Sequence, residues 1–212
     1  MVASATFWDS RAEKYDSEFA FSVEGGSQRN RRLAENLRDA RAVLDFGCGN
    51  GGISLCIAEY VDEIVGLDVS SKMIHFAEQR KAEAGVDNIT FQAIGESEFP
   101  IFDTQFDVVL GLSVLHLVPD PQGTLAWFRN ILGSEGCLII ETPCLSDMSL
   151  ARQLTVRAAM LLGAAPSIHS FSYNSLRDLL DQSGFFIEEE FEVSRKDRML
   201  WCVCKSKGLP SG

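Results

Sequence analysis

A glycine-rich turn stands out in the stretch "VLDFGCGNGGISL", residues 43–55. Gly47, Gly49 and Gly52 satisfy the G-x-G-x-x-G pattern, which lets backbone amides approach a ligand closely where a strand turns into a helix. Asp45 lies two residues before the first glycine, and Asp68 ends the next apolar run. These residues together indicate a cofactor site, and dinucleotides are one class of ligand that such a turn binds.

The charge of Asp45 separates two classes of cofactor. A dinucleotide presents a pyrophosphate anion to the amides of the turn, and a carboxylate at that position would repel it. S-adenosyl-L-methionine carries a positive sulfonium and an ammonium group, which a carboxylate attracts. Asp68 does not discriminate, because either cofactor offers ribose hydroxyls to a carboxylate at this spacing. The sequence therefore favours S-adenosyl-L-methionine as the cofactor, and a dinucleotide is the least favoured ligand.

Alternating elements would position this turn. Five apolar runs are predicted strands: 42–46, 63–68, 89–94, 106–112 and 136–142. Stretches of helical period separate them, at 52–61, 71–85 and 123–132, a pattern typical of a parallel sheet covered on both faces.

A different pattern follows at the end of the chain. We expect a helix over 173–184, with Asn174 or Ser175 as N-cap and Gly184 as its stop, and then a hairpin of two strands. The chain reads as a single domain over 1–212. Its N-terminal helical cap (1–40) and an insertion (143–172) are expected to cover the strand ends, where such sheets bind ligands.

In this order of motifs the chain resembles the class I S-adenosylmethionine-dependent methyltransferases. The branch it resembles is the small-molecule one allied to the ubiquinone and menaquinone biosynthesis enzymes (type 11/12). The motifs are "FWDSRAEKYD", "VLDFGCGNG", "IVGLDVSSKMI", "FDVVLGLSVLHLVPD" and "GCLIIETPCL". The resemblance implies an α/β Rossmann-like three-layer sandwich with a helical lid. Its seven-stranded, mostly parallel sheet would have the order 3-2-1-4-5-7-6, with the last strand antiparallel.

The resemblance also implies which residues bind the cofactor. Gly47, Cys48 and Gly49 would form the turn against the methionine portion, organised by Asp45, and Asp68 would bind the ribose. The other expected contacts are Tyr15, Val69, Met73, Glu96, Ser97 and Leu112.

The methyl acceptor is less constrained, because an in-line displacement needs mainly proximity and orientation. His116 is the catalytic candidate, either as a base or as a residue that packs its loop. The segment 149–168 is rich in leucine and contains Arg152 and Arg157. If it lines the pocket, the acceptor is apolar or aromatic, with a possible anionic group for an arginine. The candidate substrate-binding residues are Cys144, Arg152 and His169.

Composition disfavours other classes of function. Lys and Arg number 19 against 30 Asp and Glu, a net charge of −11 that opposes binding to nucleic acid. No apolar run reaches the roughly 20 residues of a membrane helix, so we expect no stable membrane insertion. The start "MVASATFWDS" lacks the pattern of a secretory signal, which makes the cytoplasm the expected location. With Glu141 the only acid at the ends of the fourth and fifth strands, no metal is expected.

The sequence thus predicts a metal-independent methyltransferase that uses S-adenosyl-L-methionine on a small, apolar or aromatic molecule. Oxygen is the first expected acceptor atom, and nitrogen and sulfur stay open. Two alternatives remain: a non-catalytic S-adenosylmethionine-binding sensor or partner subunit, and a protein methyltransferase. The oligomeric state is not predicted.

Overall fold

A computed structural model describes residues 5–18 and 28–207, with the side chains of 16–18 outside the description. Its helices are α1 (Ala5–Asp9), α2 (Ala12–Glu18), α3 (Gln28–Leu37), α4 (Gly52–Ile57), α5 (Ser71–Ala84), α6 (Pro121–Ile131), α7 (Leu150–Leu161) and α8 (Tyr173–Gln182). Its strands are β1 (Ala42–Phe46), β2 (Glu63–Asp68), β3 (Ile89–Ala93), β4 (Phe106–Leu112), β5 (Leu132–Pro143), β6 (Phe185–Ser194) and β7 (Met199–Ser206).

The strands form one seven-stranded sheet in the order β3-β2-β1-β4-β5-β7-β6. The pairs among β1 to β5 are parallel, and β7 runs antiparallel to both of its neighbours. This confirms the predicted order and the predicted antiparallel last strand. Asp45 pairs with Gly66 of β2 and Leu110 of β4, so the glycine turn leaves the middle of the sheet.

Helices cover both faces of the sheet, because its central strands are apolar on both sides. One core cluster packs Leu125 and Phe128 of α6 and Leu180 of α8 against the sheet. The other packs Leu37 of α3 and Ala77 of α5 against the opposite face. The result is the three-layer sandwich that the resemblance implied.

Several local boundaries differ from the predictions, most of them by one or two residues. Strand β5 begins at Leu132 rather than at 136, directly where α6 ends. The helix predicted over 52–61 ends at Ile57 and continues as a 3-10 turn to Tyr60. The N-cap of α8 is Ser172, not Asn174 or Ser175. Ser175 instead completes a capping box with Ser172, in which each side chain accepts from the other residue's backbone amide.

The N-terminal helices lie across the carboxyl ends of the strands. Asp9 Oδ1 accepts from Ser70 Oγ (2.6 Å) and from the Lys72 amide (3.2 Å), which docks α1 on the start of α5. Arg11 Nη2 donates to the carbonyls of Gly163 (3.2 Å) and Ala164 (3.0 Å), just after α7. Residues 1–4 and 19–27 of the predicted cap lie outside the described residues. Among the described helices, none combines the length and apolar character that crossing a membrane requires.

The contrast between α8 and α7 yields a stability prediction. Leu180 of α8 is fully buried, whereas Leu161 of α7 is 89% exposed. We expect Leu180→Ala to lower the free energy of unfolding by about 2–5 kcal/mol, since it leaves a cavity in the core. Leu161→Ala should change it by less than about 0.5 kcal/mol. Urea unfolding of both variants measures this, and equal losses would contradict the described packing.

Candidate cofactor site

The glycine turn connects the ends of two neighbouring strands. The amides of Gly47 and Cys48 both donate to the carbonyl of Leu67, at 2.7 and 3.0 Å. Gly47 has a φ of +76°, and a Cβ atom there would lie 2.6 Å from Val114 Cγ2. Gly49 has a φ of +55°, but its Cβ position meets no atom within 4 Å. Gly47 is therefore required by backbone and packing, whereas Gly49 faces open space.

That open space is a cavity of about 910 Å³, counted out to its mouth, at the carboxyl ends of the parallel strands. It includes most of the predicted cofactor contacts: Tyr15, Gly47, Gly49, Asp68, Val69, Met73, Glu96 and Leu112. Its location is the one that open α/β sheets use for ligands.

Asp68 is held rigidly at the edge of this cavity. Its Oδ2 accepts from the Gly49 amide (2.9 Å) and its Oδ1 from the Ser70 amide (2.8 Å). A carboxylate has about four acceptor positions, more than these two amides occupy. Burial raises the pKa of Asp68, the backbone amides oppose that shift, and Asp9 adds to it. The arrangement fits a ligand that presents two adjacent hydroxyls, as a ribose does.

Apolar side chains and the N-terminal helices complete the walls. Val69 and Met73 lie beside Asp68 in sequence, and Met73 is the first buried residue of α5. Trp8 and Tyr15 bring an edge-to-face aromatic pair to the cavity, with ring centroids 6.1 Å apart. Burial, and secondarily the charge of Asp68, raises the pKa of the Tyr15 hydroxyl. Glu96 Oε1 accepts from the Ala5 amide (2.9 Å), and Ser97 does not line the cavity.

Two residues of the turn motif point away from the cavity. Asp45 is buried, and its Oδ2 accepts from Ser54 Oγ at 2.6 Å, at the start of α4. Burial raises its pKa to about 6, with the Ser54 hydrogen bond opposing the shift. The Cys48 thiol packs within 3.2 Å of the Cβ position of Gly66, and burial raises its pKa well above the usual value. Both side chains support the turn from beneath and do not line the cavity.

Comparisons with known proteins identify this arrangement. A family model for a methyltransferase domain matches residues 37–184. This chain belongs to the class I S-adenosylmethionine-dependent methyltransferases. The family and its cofactor, S-adenosyl-L-methionine, are those that the sequence predicted. The residues around Gly49 and Asp68 fit that cofactor, since they leave space and acceptor positions for a ribose at the methyltransferase turn.

The chain is similar to individual methyltransferases of known sequence or structure. The methyltransferase is 36% identical to the 27-O-demethylrifamycin SV methyltransferase of Amycolatopsis mediterranei, over 59% of this chain and 48% of that one. It is 30% identical to the ubiquinone biosynthesis O-methyltransferase of Pasteurella multocida, over 58% and 52% of the two chains. The chain thus spans about half the length of these curated relatives. The solved DhpI–SAH complex shares the fold, with a TM-score of 0.68 at 21% identity over 97% of this chain and 96% of that one.

The four residues proposed for catalysis and acceptor binding do not line the cavity of this methyltransferase. His116 is buried, with Nδ1 3.1 Å from Thr142 Oγ1, and burial lowers its pKa to about 4, with His169 contributing. His169 Nε2 donates to the Val118 carbonyl at 2.9 Å, directly behind the cavity wall. Cys144 is fully buried in the core. Arg152 is exposed and pairs with Asp197 at 3.4 Å.

Sequence reasoning missed much of the cavity wall. The missed residues include Trp8, Phe46, Glu98, Phe99, Ser113, Val114, Leu117, Val118, Pro119 and Thr124. The motif "LSVLHLVPD" contained five of them, but it drew attention to His116 instead.

Ser113 has a φ of +57°, and its amide donates to the Glu141 carbonyl at 2.7 Å. Glu141 in turn accepts from Arg29 Nε at 2.5 Å, so a buried ion pair supports this loop.

The pKa of Asp45 leads to a prediction about stability. Its folded pKa of about 6 exceeds the usual 3.8, so the folded protein holds this proton more tightly than the unfolded chain does. The free energy of unfolding therefore falls as pH rises from about 4 to above 6. Asp45→Asn keeps an acceptor for Ser54 without the charge. We expect it to raise stability by up to about 3 kcal/mol at pH 7.5 and by about half of that at pH 5.

Urea unfolding at the two pH values measures this difference. Asp103→Asn, at an exposed aspartate, is the matched control and should show no pH-dependent gain. A gain for Asp45→Asn of the same size at pH 5 and pH 7.5 would contradict the raised pKa.

Proposed function

We propose that this chain transfers the methyl group of S-adenosyl-L-methionine to a small, apolar or aromatic molecule without an anionic group. The observation that carries the proposal is the position of Asp68. Its carboxylate is fixed by the backbone amides of Gly49 and Ser70 and lines a cavity beside the glycine turn. This supports binding of the cofactor ribose in one orientation, which is what an in-line displacement needs most.

The charges around the cavity support an uncharged or cationic acceptor. Among the described residues, the charged side chains that line the cavity are the acids Asp68, Glu96 and Glu98. Arg152 and Arg157, which the sequence had offered as partners for an anionic group, do not line it. These carboxylates attract the positive sulfonium and repel an anionic acceptor, and Asp68 does so most strongly because it is partly buried whereas Glu96 and Glu98 are exposed. We therefore propose an acceptor that lacks the anionic group.

The apolar part of the wall supports a ring or hydrocarbon as acceptor. Phe46, Phe99, Leu117 and Val118 line the cavity, and the Phe99 ring stacks on Trp127 with centroids 5.1 Å apart. Flat, apolar walls with few polar groups are typical of sites for aromatic ligands. Two relatives, the 27-O-demethylrifamycin SV methyltransferase and the ubiquinone biosynthesis O-methyltransferase, are methyltransferases of small molecules, and their O-methylation supports oxygen as the acceptor atom.

Methyl transfer requires the protein mainly to bind and orient the two reactants. The cofactor supplies a methyl group activated by its positive sulfur. The residues of this chain bind and orient: the turn leaves room at Gly49, Asp68 holds the ribose, and Trp8 and Tyr15 exclude water from one side. His116 is neutral at neutral pH because burial lowers its pKa to about 4. We assign His116 a positioning role, through its hydrogen bond to Thr142, behind Leu117 and Val118.

Binding calorimetry tests the cofactor assignment. We expect micromolar binding of S-adenosylmethionine and S-adenosylhomocysteine and none of NAD. Asp68→Ala removes two hydrogen bonds to a charged acceptor and should weaken binding about 100-fold or more. Asp62→Ala, at an exposed aspartate, is the control and should bind as the native protein does. Binding of NAD, or unchanged affinity in Asp68→Ala, would overturn the assignment.

An acceptor screen tests the charge of the substrate and separates an enzyme from a non-catalytic binder. Pairs of phenols that differ by one carboxylate are compared by methyl transfer from labelled S-adenosylmethionine. We expect the neutral member to have a kcat/KM at least about tenfold higher, since one like charge within a low-dielectric site repels by more than about 1 kcal/mol. Glu98→Gln should reduce the difference. A preference for the anionic members would contradict the proposed acceptor class.

A further inference from the structure

Helix α7 exposes a row of leucines. Leu150, Leu154 and Leu161 are 77%, 65% and 89% exposed, and no residue of the helix is buried. They lie four and seven residues apart, which places them on one face of the helix. Leu162, 83% exposed, extends this apolar surface at the end of the helix. Such a continuous row on a soluble domain marks an interaction surface.

Basic side chains accompany this row. Arg157 is seven residues after Leu150 and four before Leu161, so it lies on the leucine face, and it is exposed. The turn between β6 and β7 adds exposed Arg195 and Lys196. The ion pair between Arg152 and Asp197 joins that turn to α7. We call the leucine row, Arg157 and the 194–198 turn the α7 surface.

The local charge differs from that of the whole chain. The sequence has 30 acidic residues and a net charge of −11, yet residues 148–177 contain no Asp or Glu. The same stretch contains Arg157, together with Arg152 and Arg177, which pair with Asp197 and Glu190. The only acid of the α7 surface, Asp197, is thus paired, and the exposed Arg157 and Lys196 attract a negatively charged partner to a molecule that otherwise repels one.

We propose that the α7 surface docks on an anionic lipid bilayer. Exposed leucines in a row enter the boundary between headgroups and acyl chains, while the neighbouring arginine and lysine side chains meet lipid phosphates. A contact between two α7 helices related by twofold symmetry fits less well. In such a contact Arg157, which lies on the leucine face, would meet the Arg157 of the second copy. Residues 148–177 contain no carboxylate that could neutralise these two charges.

The position of the surface connects docking to the cavity. Arg11 donates to the carbonyls of Gly163 and Ala164 immediately after α7. The same N-terminal segment supplies Trp8 and Tyr15 to the cavity wall. A bilayer bound at α7 therefore lies next to the segment that closes the cavity, a suitable source for an apolar acceptor. Docking itself does not depend on the proposed methyl transfer.

Vesicle flotation with the full chain tests the proposal. We use vesicles of phosphatidylcholine alone and of phosphatidylcholine with 30% phosphatidylglycerol. We expect binding to the mixed vesicles only. The double variant L154S/L161S should weaken that binding at least about tenfold, because it removes most of the exposed apolar row. R157Q/K196Q should weaken it about 30-fold, from two lost basic contacts.

Matched controls keep the outcomes distinct. I101S changes an apolar residue that is 95% exposed elsewhere, and R38Q an exposed arginine outside the α7 surface, so both should bind as the native protein does. Unchanged thermal unfolding and S-adenosylhomocysteine affinity in all variants show that fold and cofactor site are intact. Two results overturn the proposal: no binding to the mixed vesicles, or binding that both α7 variants retain. Self-association that L154S/L161S abolishes, without vesicle binding, assigns the surface to a second copy instead.

Discussion

The parallel pairing of β1 with β2 is the constraint on which the site depends. It places the ends of the two strands side by side, so that the amides of Gly47 and Cys48 reach the carbonyl of Leu67. The Gly49 amide then reaches the Asp68 carboxylate. The glycine turn and Asp68 are about 20 residues apart in the chain, but these hydrogen bonds join them into one unit. Both lie at the carboxyl edge of the sheet, where the ligand binds.

Two buried carboxylates determine the electrostatics of this turn. Asp45 and Asp68 both have raised pKa values, because burial disfavours their charged forms more than the hydrogen bonds from Ser54 and the backbone favour them. A cationic ligand compensates part of this penalty, whereas a pyrophosphate would increase it. The family's cofactor is such a cation, and the same charges support our proposal of an acceptor without a negative group.

The N-terminal segment connects three separate parts of the structure. Asp9 binds the start of α5, the Ala5 amide binds Glu96 after β3, and Arg11 binds the chain after α7. One short pair of helices thus contacts the start of α5, the loop after β3 and the chain after α7. Arg11 therefore links the end of α7 to the same helices that contribute Trp8 to the cavity wall.

The sequence by itself determined the central strands and the cofactor turn, because both depend on local patterns, whereas the order of the strands came from the resemblance to the family. Apolar runs of strand length specify β1, β2 and β4 to the residue, and the glycines with Asp68 specify the ligand edge. What only the tertiary structure decided is the direction of individual side chains. Asp45 and Cys48 belong to the motif yet turn beneath it, His116 packs behind its loop, and Arg152 points to Asp197. These directions depend on contacts between segments far apart in the chain, which no local spacing records.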